Sequence, residues 1–353
     1  MHLKDNPKLT QFAHGAGCGC KIAPQVLQQI LKGSVSQPAD DKLLVGNGNN
    51  EDAAVYDLGN GLALIATTDF FMPVVDDAFD FGRVAAANAI SDVYAMGGAP
   101  VLALAILGWP IGKLSAETAS RVIDGARSVC NEAGISLAGG HTIDSPEPVF
   151  GLAVNGIIET GKLKRNDAAR EGDLLFLTKP LGTGILSTAQ KRGVLSEQHA
   201  EELMLSMAKL NVIGRSMGNL SSVHAMTDVT GFGLLGHLLE MCEGSGLSAE
   251  LEYSKIPRFG FLTEYLKLNA VPDATFRNWN AYSGKTEFGE GVDVAEVFSV
   301  LPDPQTNGGL LFSVAEEGIA EVQDLLRSNG LGQYSEPVGR MLAPQAKPVR
   351  VQK

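Results

Sequence analysis

Apolar positions recur along this chain in two rhythms. Short runs rich in Val, Leu and Ile at 43–46, 53–58, 62–67, 101–108, 135–139 and 149–158 have the length and composition of strands. Between them, Phe79 to Met96 carries apolar residues at helical spacing and stops at Gly97-Gly98. Ser115 to Ala133 reads as a second helix, with Ser115 as N-cap and Gly134 just past its end. The second half predicts strands at 174–178, 224–229, 248–252, 297–301, 310–314 and 334–340. Its predicted helices are 184–192, 197–218, 232–243 and 316–328. Residues 270–293 are polar and Gly-spotted, and read as a long surface loop.

Eight charged residues fall within the fifteen from 159 to 173, and no apolar rhythm crosses them, so the boundary between two units is expected there. The order of elements predicts an α/β chain of α+β character, built as two units with mixed sheets. Residues 1–20 lack periodicity and become Gly- and Cys-rich at 15–20, the pattern of a flexible loop region. The expected division is 1–20, 21–165 and 166–353.

Composition narrows the function. With 28 basic and 40 acidic residues the net charge is −12, at a pI near 5.0. That disfavours nucleic acid as a partner, because such surfaces carry clustered Lys and Arg. A polyanionic substrate would need metal ions to dock. The longest apolar run, Val101 to Trp109, is far below the ~20 residues of a membrane helix. No signal-like apolar stretch stands near Met1, so a soluble cytoplasmic protein without membrane contact is expected. Four cysteines in 353 residues make no disulfide framework, and Cys130 and Cys242, in helix-like apolar settings, read as inert core thiols.

Acids that interrupt apolar runs are the first candidates for chemistry, since a buried carboxylate is usually matched by a cation. They are Glu51-Asp52 before a strand, Asp69 at the end of one, Asp92 inside an apolar helix and Asp228 at the end of another strand. Asn88 and Asp92, four apart, share one helix face. Hard oxygen ligands on several elements suit Mg²⁺ bridging to phosphates better than zinc, although at any single position a cap or turn role is adequate, above all for Asp228 before Thr230-Gly231.

Nucleotide motifs in the usual sense are absent. Gly284-Lys285-Thr286 fails as a P-loop because the required first Gly falls at Trp279. Gly231-Phe-Gly233-Leu-Leu-Gly236 fits a dinucleotide pattern, but its supporting acids, Glu250 and Glu252, come early, so a turn for close helix packing is the better reading. Three Gly-rich turns, at Gly139–Thr142, Thr178–Gly184 and Asp303–Gly309, offer N–H groups to phosphate or serve as plain turns. The sharpest feature is Gly15-Ala-Gly-Cys18-Gly-Cys20-Lys21, where a thiol stands beside a cation that lowers its pKa, in a backbone able to close over a small anion.

Taken in order, His14-Gly-Ala-Gly-Cys-Gly-Cys-Lys21, Glu51-Asp-Ala-Ala-Val55, Thr67-Thr-Asp-Phe-Phe71, Asn88-Ala-Ile-Ser-Asp92, Gly139-Gly-His141, Met226-Thr-Asp-Val-Thr-Gly-Phe-Gly233 and Asp303-Pro-Gln-Thr306 resemble the selenophosphate synthetase (selenide, water dikinase) family, from about residue 9 to residue 340. The resemblance implies the two-domain aminoimidazole ribonucleotide synthetase fold, with the N-terminal sheets of two subunits joining in a dimer barrel. It implies that ATP, selenide and water become selenophosphate, AMP and orthophosphate, supplying selenium for selenoprotein and selenouridine synthesis. By position, it makes Cys18 the essential thiol and Lys21 the essential lysine. Asp52, Asp92 and Asp228 match Mg²⁺ ligands, while Lys21, Asn49, Asn50, Glu51, Asp69, Asp92, Gly140, His141 and Thr142 match ATP-contacting positions. Implied partners are ATP, selenide and a second copy of the chain, with room for a selenium-delivery protein. The chain departs from the family at Glu51, where many members have Asp, and at Asn307, where many have Ser. The first departure makes Glu51 a doubtful metal ligand.

Overall fold

A computed structural model describes residues 7–21, 26, 29–30, 40–46 and 51–353. The first sheet is built from β1 (Leu43–Val45), β2 (Ala54–Gly59) and β3 (Leu62–Phe71), followed by helix α1 (Ala78–Ala95), β4 (Ala99–Trp109), α2 (Ala116–Glu132), β5 (Ser136–Asp144) and β6 (Val149–Glu159). Its strand order is β1-β2-β3-β6-β4-β5. Only β4 and β5 pair in parallel, joined by the α2 crossover such a pairing needs.

The second sheet takes β7 (Leu174–Leu177), then α3 (Thr183–Lys191), α4 (Glu197–Ala208), α5 (Ile213–Gly218), β8 (Val223–Asp228), α6 (Gly233–Ser245), β9 (Ser248–Glu252), α7 (Leu262–Lys267), α8 (Asp273–Tyr282), β10 (Thr286–Phe288), α9 (Val294–Val300), β11 (Leu310–Val314), α10 (Ile319–Ser328), β12 (Gly339–Leu342) and β13 (Val349–Gln352). It runs β10-β13-β9-β12-β7-β11-β8, parallel at the β10/β13 and β13/β9 pairs and antiparallel elsewhere. Both sheets are therefore mixed, as the element order predicts. No helix among the described residues is long and apolar enough to cross a membrane.

Helix α1 is the centre of the molecule. Asp77 caps it by accepting from the N–H groups of Phe79 and Asp80, and nearly every side is buried, the mark of an interior helix. It lies against β3 and β6 on one side and reaches α4, α5 and β8 on the other. A polar residue on this helix therefore faces the junction of the two sheets. Such positions carry chemistry or cost stability.

Five sequence expectations are corrected here. Residues 297–301 are not a strand: Asp293 caps α9 through the N–H groups of Ala295 and Glu296, and the apolar run follows helical spacing. The 270–293 stretch is not a loop but contains α8 and β10. Its buried stripe includes Thr275 and Asn278, whose polarity disguises it. The single helix over 197–218 is two, α4 and α5, because Lys209 turns extended and Asn211 leaves the helix to donate to the Ser91 hydroxyl and the Gly308 carbonyl. Finally, Gly139–Thr142 is not a turn but the middle of β5. There Gly140 has φ +153°, and a Cβ would meet the Ala105 carbonyl oxygen at 2.1 Å, so only glycine permits this strand approach. The last predicted strand, 334–340, shifts to Gly339–Leu342.

Candidate active site

The site begins with strand alternation. In β3 the even positions from Leu62 to Phe70 point away from α1, which leaves Thr67 and Asp69 facing it. On α1, Asn88 and Asp92 look back from one face, as their spacing predicts. The Asn88 amide joins three segments: its Nδ2 donates to Asp69 Oδ2 at 2.7 Å, while its Oδ1 accepts from the Asn307 N–H at 2.7 Å and from the Cys18 thiol at 3.2 Å. A backbone N–H can only donate, so the Asn307 contact fixes which way the amide faces.

Cys18 sits in a 3-10 turn, Gly17–Cys20, and is 1% exposed. Leu9, earlier in the same segment, is fully buried as well. Gly17 makes the seating possible: its φ is +50°, and a Cβ there would collide with Thr306 Oγ1 at 2.3 Å. That same hydroxyl accepts from the Cys18 N–H at 3.2 Å. Lys21 Nζ lies 3.6 Å from Asp69 Oδ2, and its side chain keeps 39% of its surface exposed, so the ammonium reaches both the carboxylate and solvent. The Asp69 carboxylate holds the Lys21 pKa above the ordinary lysine range, so it is a permanent cation here.

Asp52, Asp92 and Asp228 complete the arrangement. Burial pushes the carboxyls of Asp52 and Asp92 well above the usual carboxylate range, and repulsion from Asp228 adds to both. Burial raises Asp228 as well. Thr227 Oγ1 donates to Asp52 Oδ1 at 2.9 Å, and Thr67 Oγ1 donates to Asp92 Oδ2. The second oxygens of Asp52 and Asp228 are buried with no hydrogen-bond partner among the described residues. Unpaired buried acceptors that also repel one another are costly, and a divalent cation removes both penalties. Among the described residues no group of three or more His, Cys, Asp or Glu side chains is placed to hold a metal ion. Mg²⁺ binding by one or two carboxylates plus substrate phosphates requires no such cage.

Asp228 does not cap α6; the N-cap position is Phe232, without a side-chain bond. Glu51 turns elsewhere, accepting from the Asn166 N–H at 3.0 Å beside Arg165 at 3.5 Å, with burial pushing its pKa up to about 7. Asn49 and Asn50 lie outside the described residues. Gly140, His141 and Thr142 are exposed on β5, three strands from β3, about 14 Å across the sheet. The structure does not bring them to the acidic cluster of the same chain.

Two of the proposed phosphate turns are knit to each other instead. Gln305 Oε1 accepts from the N–H groups of Gly182 and Thr183, and Asp303 Oδ2 from those of Gly184 and Ile185. Their donors are spent on structure. Burial pushes the Asp303 carboxyl up to about 8. Cys130 and Cys242 are fully buried core thiols, their pKa values raised by burial to about 11 and about 12. Thr67, Thr227, Thr306 and Asn307 escaped the candidate set, because a hydroxyl or amide that serves a neighbour across 15 to 288 positions leaves no local signal.

Comparison with known proteins places this geometry. Residues 50–158 match the family model of the AIR synthase related protein N-terminal domain, and residues 170–352 that of its C-terminal domain. The selenide, water dikinase of Aeromonas hydrophila subsp. hydrophila is 54% identical over 336 residues, covering 95% of this chain and 96% of that protein. The enzyme of the same name from Colwellia psychrerythraea is 53% identical over 338 residues, with coverage of 95% and 96%. Among solved structures, thiamine-monophosphate kinase from Stenotrophomonas maltophilia superposes with a TM-score of 0.63 at 22% identity, covering 94% of this chain and 96% of that one, a likeness of fold alone. With both domain models matched and more than half its residues shared along nearly its whole length, the chain belongs to the selenide, water dikinase family of AIR synthase related proteins.

Proposed function

We propose that this chain converts ATP, selenide and water into selenophosphate, AMP and orthophosphate. Fold does not select this reaction, since a thiamine-monophosphate kinase shares it. The observation that carries the reading is the Cys18 thiol seated on Asn88, whose amide also holds Asp69, the partner of Lys21. A phosphoryl-transfer site and a soft nucleophile therefore share one side chain.

Phosphoryl transfer depends mainly on positioning and charge neutralisation. Asp52, Asp92 and Asp228 would hold Mg²⁺, which neutralises and orients a bound triphosphate. Lys21, always protonated, supplies a second positive charge from the loop, and Cys18 handles selenium. Hydroselenide attacks the γ-phosphorus, the bond to the bridging oxygen breaks, and ADP, the leaving group, stays bound. Water then cleaves the β-phosphoryl group of ADP to give AMP and orthophosphate. The test is phosphorus NMR with ATP, Mg²⁺ and selenide under argon. Selenophosphate, AMP and orthophosphate are expected; ADP as the final nucleotide, or sulfide serving as well as selenide, rejects the assignment.

The proposal extends to a homodimer. The face of the first sheet turned away from α1 carries exposed Tyr56, Leu58, Leu62, Phe70, Leu104 and Ile157, an apolar surface of the kind that marks an interface. Sedimentation at micromolar concentration is expected to return twice the chain mass; a monomer there overturns this part. The division into a loop region, an N-terminal ATP- and Mg²⁺-binding unit to residue 165 and a C-terminal unit is part of the same proposal.

A further inference from the structure

Cys18 is sealed, yet it must meet a substrate, so what holds the loop shut decides when chemistry starts. From within, the Gly17 N–H donates to the Met72 carbonyl at 3.0 Å and the Cys18 N–H to Thr306 Oγ1 at 3.2 Å. From outside, two cations of the second unit grip the segment on either side of the thiol. Lys191, in the last turn of α3, donates to the carbonyls of Ala13 at 2.9 Å and His14 at 3.3 Å. Arg277, on α8, donates through Nη2 to the Gly19 carbonyl at 2.8 Å. Between them opens a cavity of about 540 Å³, lined by Lys21, Ser187, Lys191, Arg277 and Thr306 among others.

We propose that Lys191 and Arg277 are positioning residues, a two-point latch that closes the Gly-rich segment over α1 and so sets the access and alignment of Cys18. The platform beneath the latch is rigid. The N-terminus of α3, the helix bearing Lys191, is tied by Asp303 and Gln305, and Thr306, next in the chain, is the inner anchor of Cys18. Lys191 and Thr306 therefore move together as one jaw. Neither cation has a salt-bridge partner among the described residues, so each spends donors on loop carbonyls; such charged hydrogen bonds are worth roughly twice neutral ones. Both residues are exposed, so opening replaces each carbonyl by solvent at modest cost, which is what a latch that must reopen on every turnover requires. The idea goes beyond the reading of the reaction and rests on it only where turnover is measured.

The test is the rate at which N-ethylmaleimide modifies Cys18 in the full chain, read peptide by peptide by mass spectrometry. In Lys191→Met with Arg277→Met, which keep the apolar stems and remove the donors, Cys18 labelling is expected to rise at least about ten-fold, with roughly three-fold in each single variant. Cys130 and Cys242, buried in the core, must keep their parent rates. Lys191→Arg and Arg277→Lys, which restore donors, are expected to return labelling toward the parent. Turnover with ATP and selenide should fall in kcat while the KM for ATP stays within about two-fold. Labelling at the parent rate in the double variant, or in both single variants, overturns the latch. So does a rise shared by Cys130 and Cys242, because that reports general loosening. The labelling arm needs no selenide, so its outcome is independent of whether the proposed reaction is right.

Discussion

Cys18→Ser is expected to abolish selenophosphate formation, by more than about 10³-fold or about 4 kcal/mol in the barrier, while Mg²⁺-ATP binding stays within about two-fold of the parent. The serine hydroxyl is smaller than the thiol and can still donate to Asn88 Oδ1, so the amide that orders Asp69 is not disturbed. What disappears is the soft, polarisable sulfur, which suits selenium chemistry as a hydroxyl oxygen does not. Phosphorus NMR reads the product and calorimetry the nucleotide. A serine variant that makes selenophosphate at the parent rate removes the thiol from the mechanism. Lys21→Ala sharpens the comparison, since it should lose product with Cys18 intact, whereas Cys20→Ser should keep most turnover.

Asp52→Asn, Asp92→Asn and Asp228→Asn should each weaken Mg²⁺-dependent ATP binding at least about ten-fold, about 1.4 kcal/mol, and the metal-free protein should be no less stable. Each carboxylate is buried and faces at least one other, so in metal-free buffer the folded state carries their repulsion without relief. An amide of the same shape removes one charge and keeps the hydrogen bonds from Thr67 and Thr227 within reach. The melting midpoint without metal is expected to stay level or rise by about 1–3 °C. Adding Mg²⁺-ATP should stabilise the parent markedly and the variants little, because only a ligand that binds the native state raises its midpoint. Normal nucleotide affinity in all three variants, or a fall of many degrees in the metal-free midpoint, would set aside the metal role.

Much of this was legible one residue at a time. Asn88 and Asp92 announce a shared face by their spacing, and β3 announces which way Asp69 points by alternation, because side-chain direction in regular elements follows from local geometry. The Gly-Cys motif and the acids that break apolar runs are conspicuous for the same reason: they are unusual where they stand. Short apolar runs were less informative. Val297–Leu301 reads equally as strand or helix until Asp293 caps it, and α8 hides its buried stripe behind Thr275 and Asn278.

The sequence by itself determined the mixed α/β class, the central helix, the family and the residues able to carry charge and sulfur, since each depends on local pattern or on motifs in order. Only the tertiary structure decided that Cys18 is buried, that Asn88 links it to Asp69, and that Gly140–Thr142 stand three strands away from Asp69. It alone brought Lys191 and Arg277 to the loop, across 178 and 258 positions of sequence. The physical reason is range. Dihedral preference and side-chain periodicity act over a few residues and are written into the order of the chain, whereas hydrogen bonds and charges act over a few ångströms of space and take their partners from whatever the packed sheets bring together.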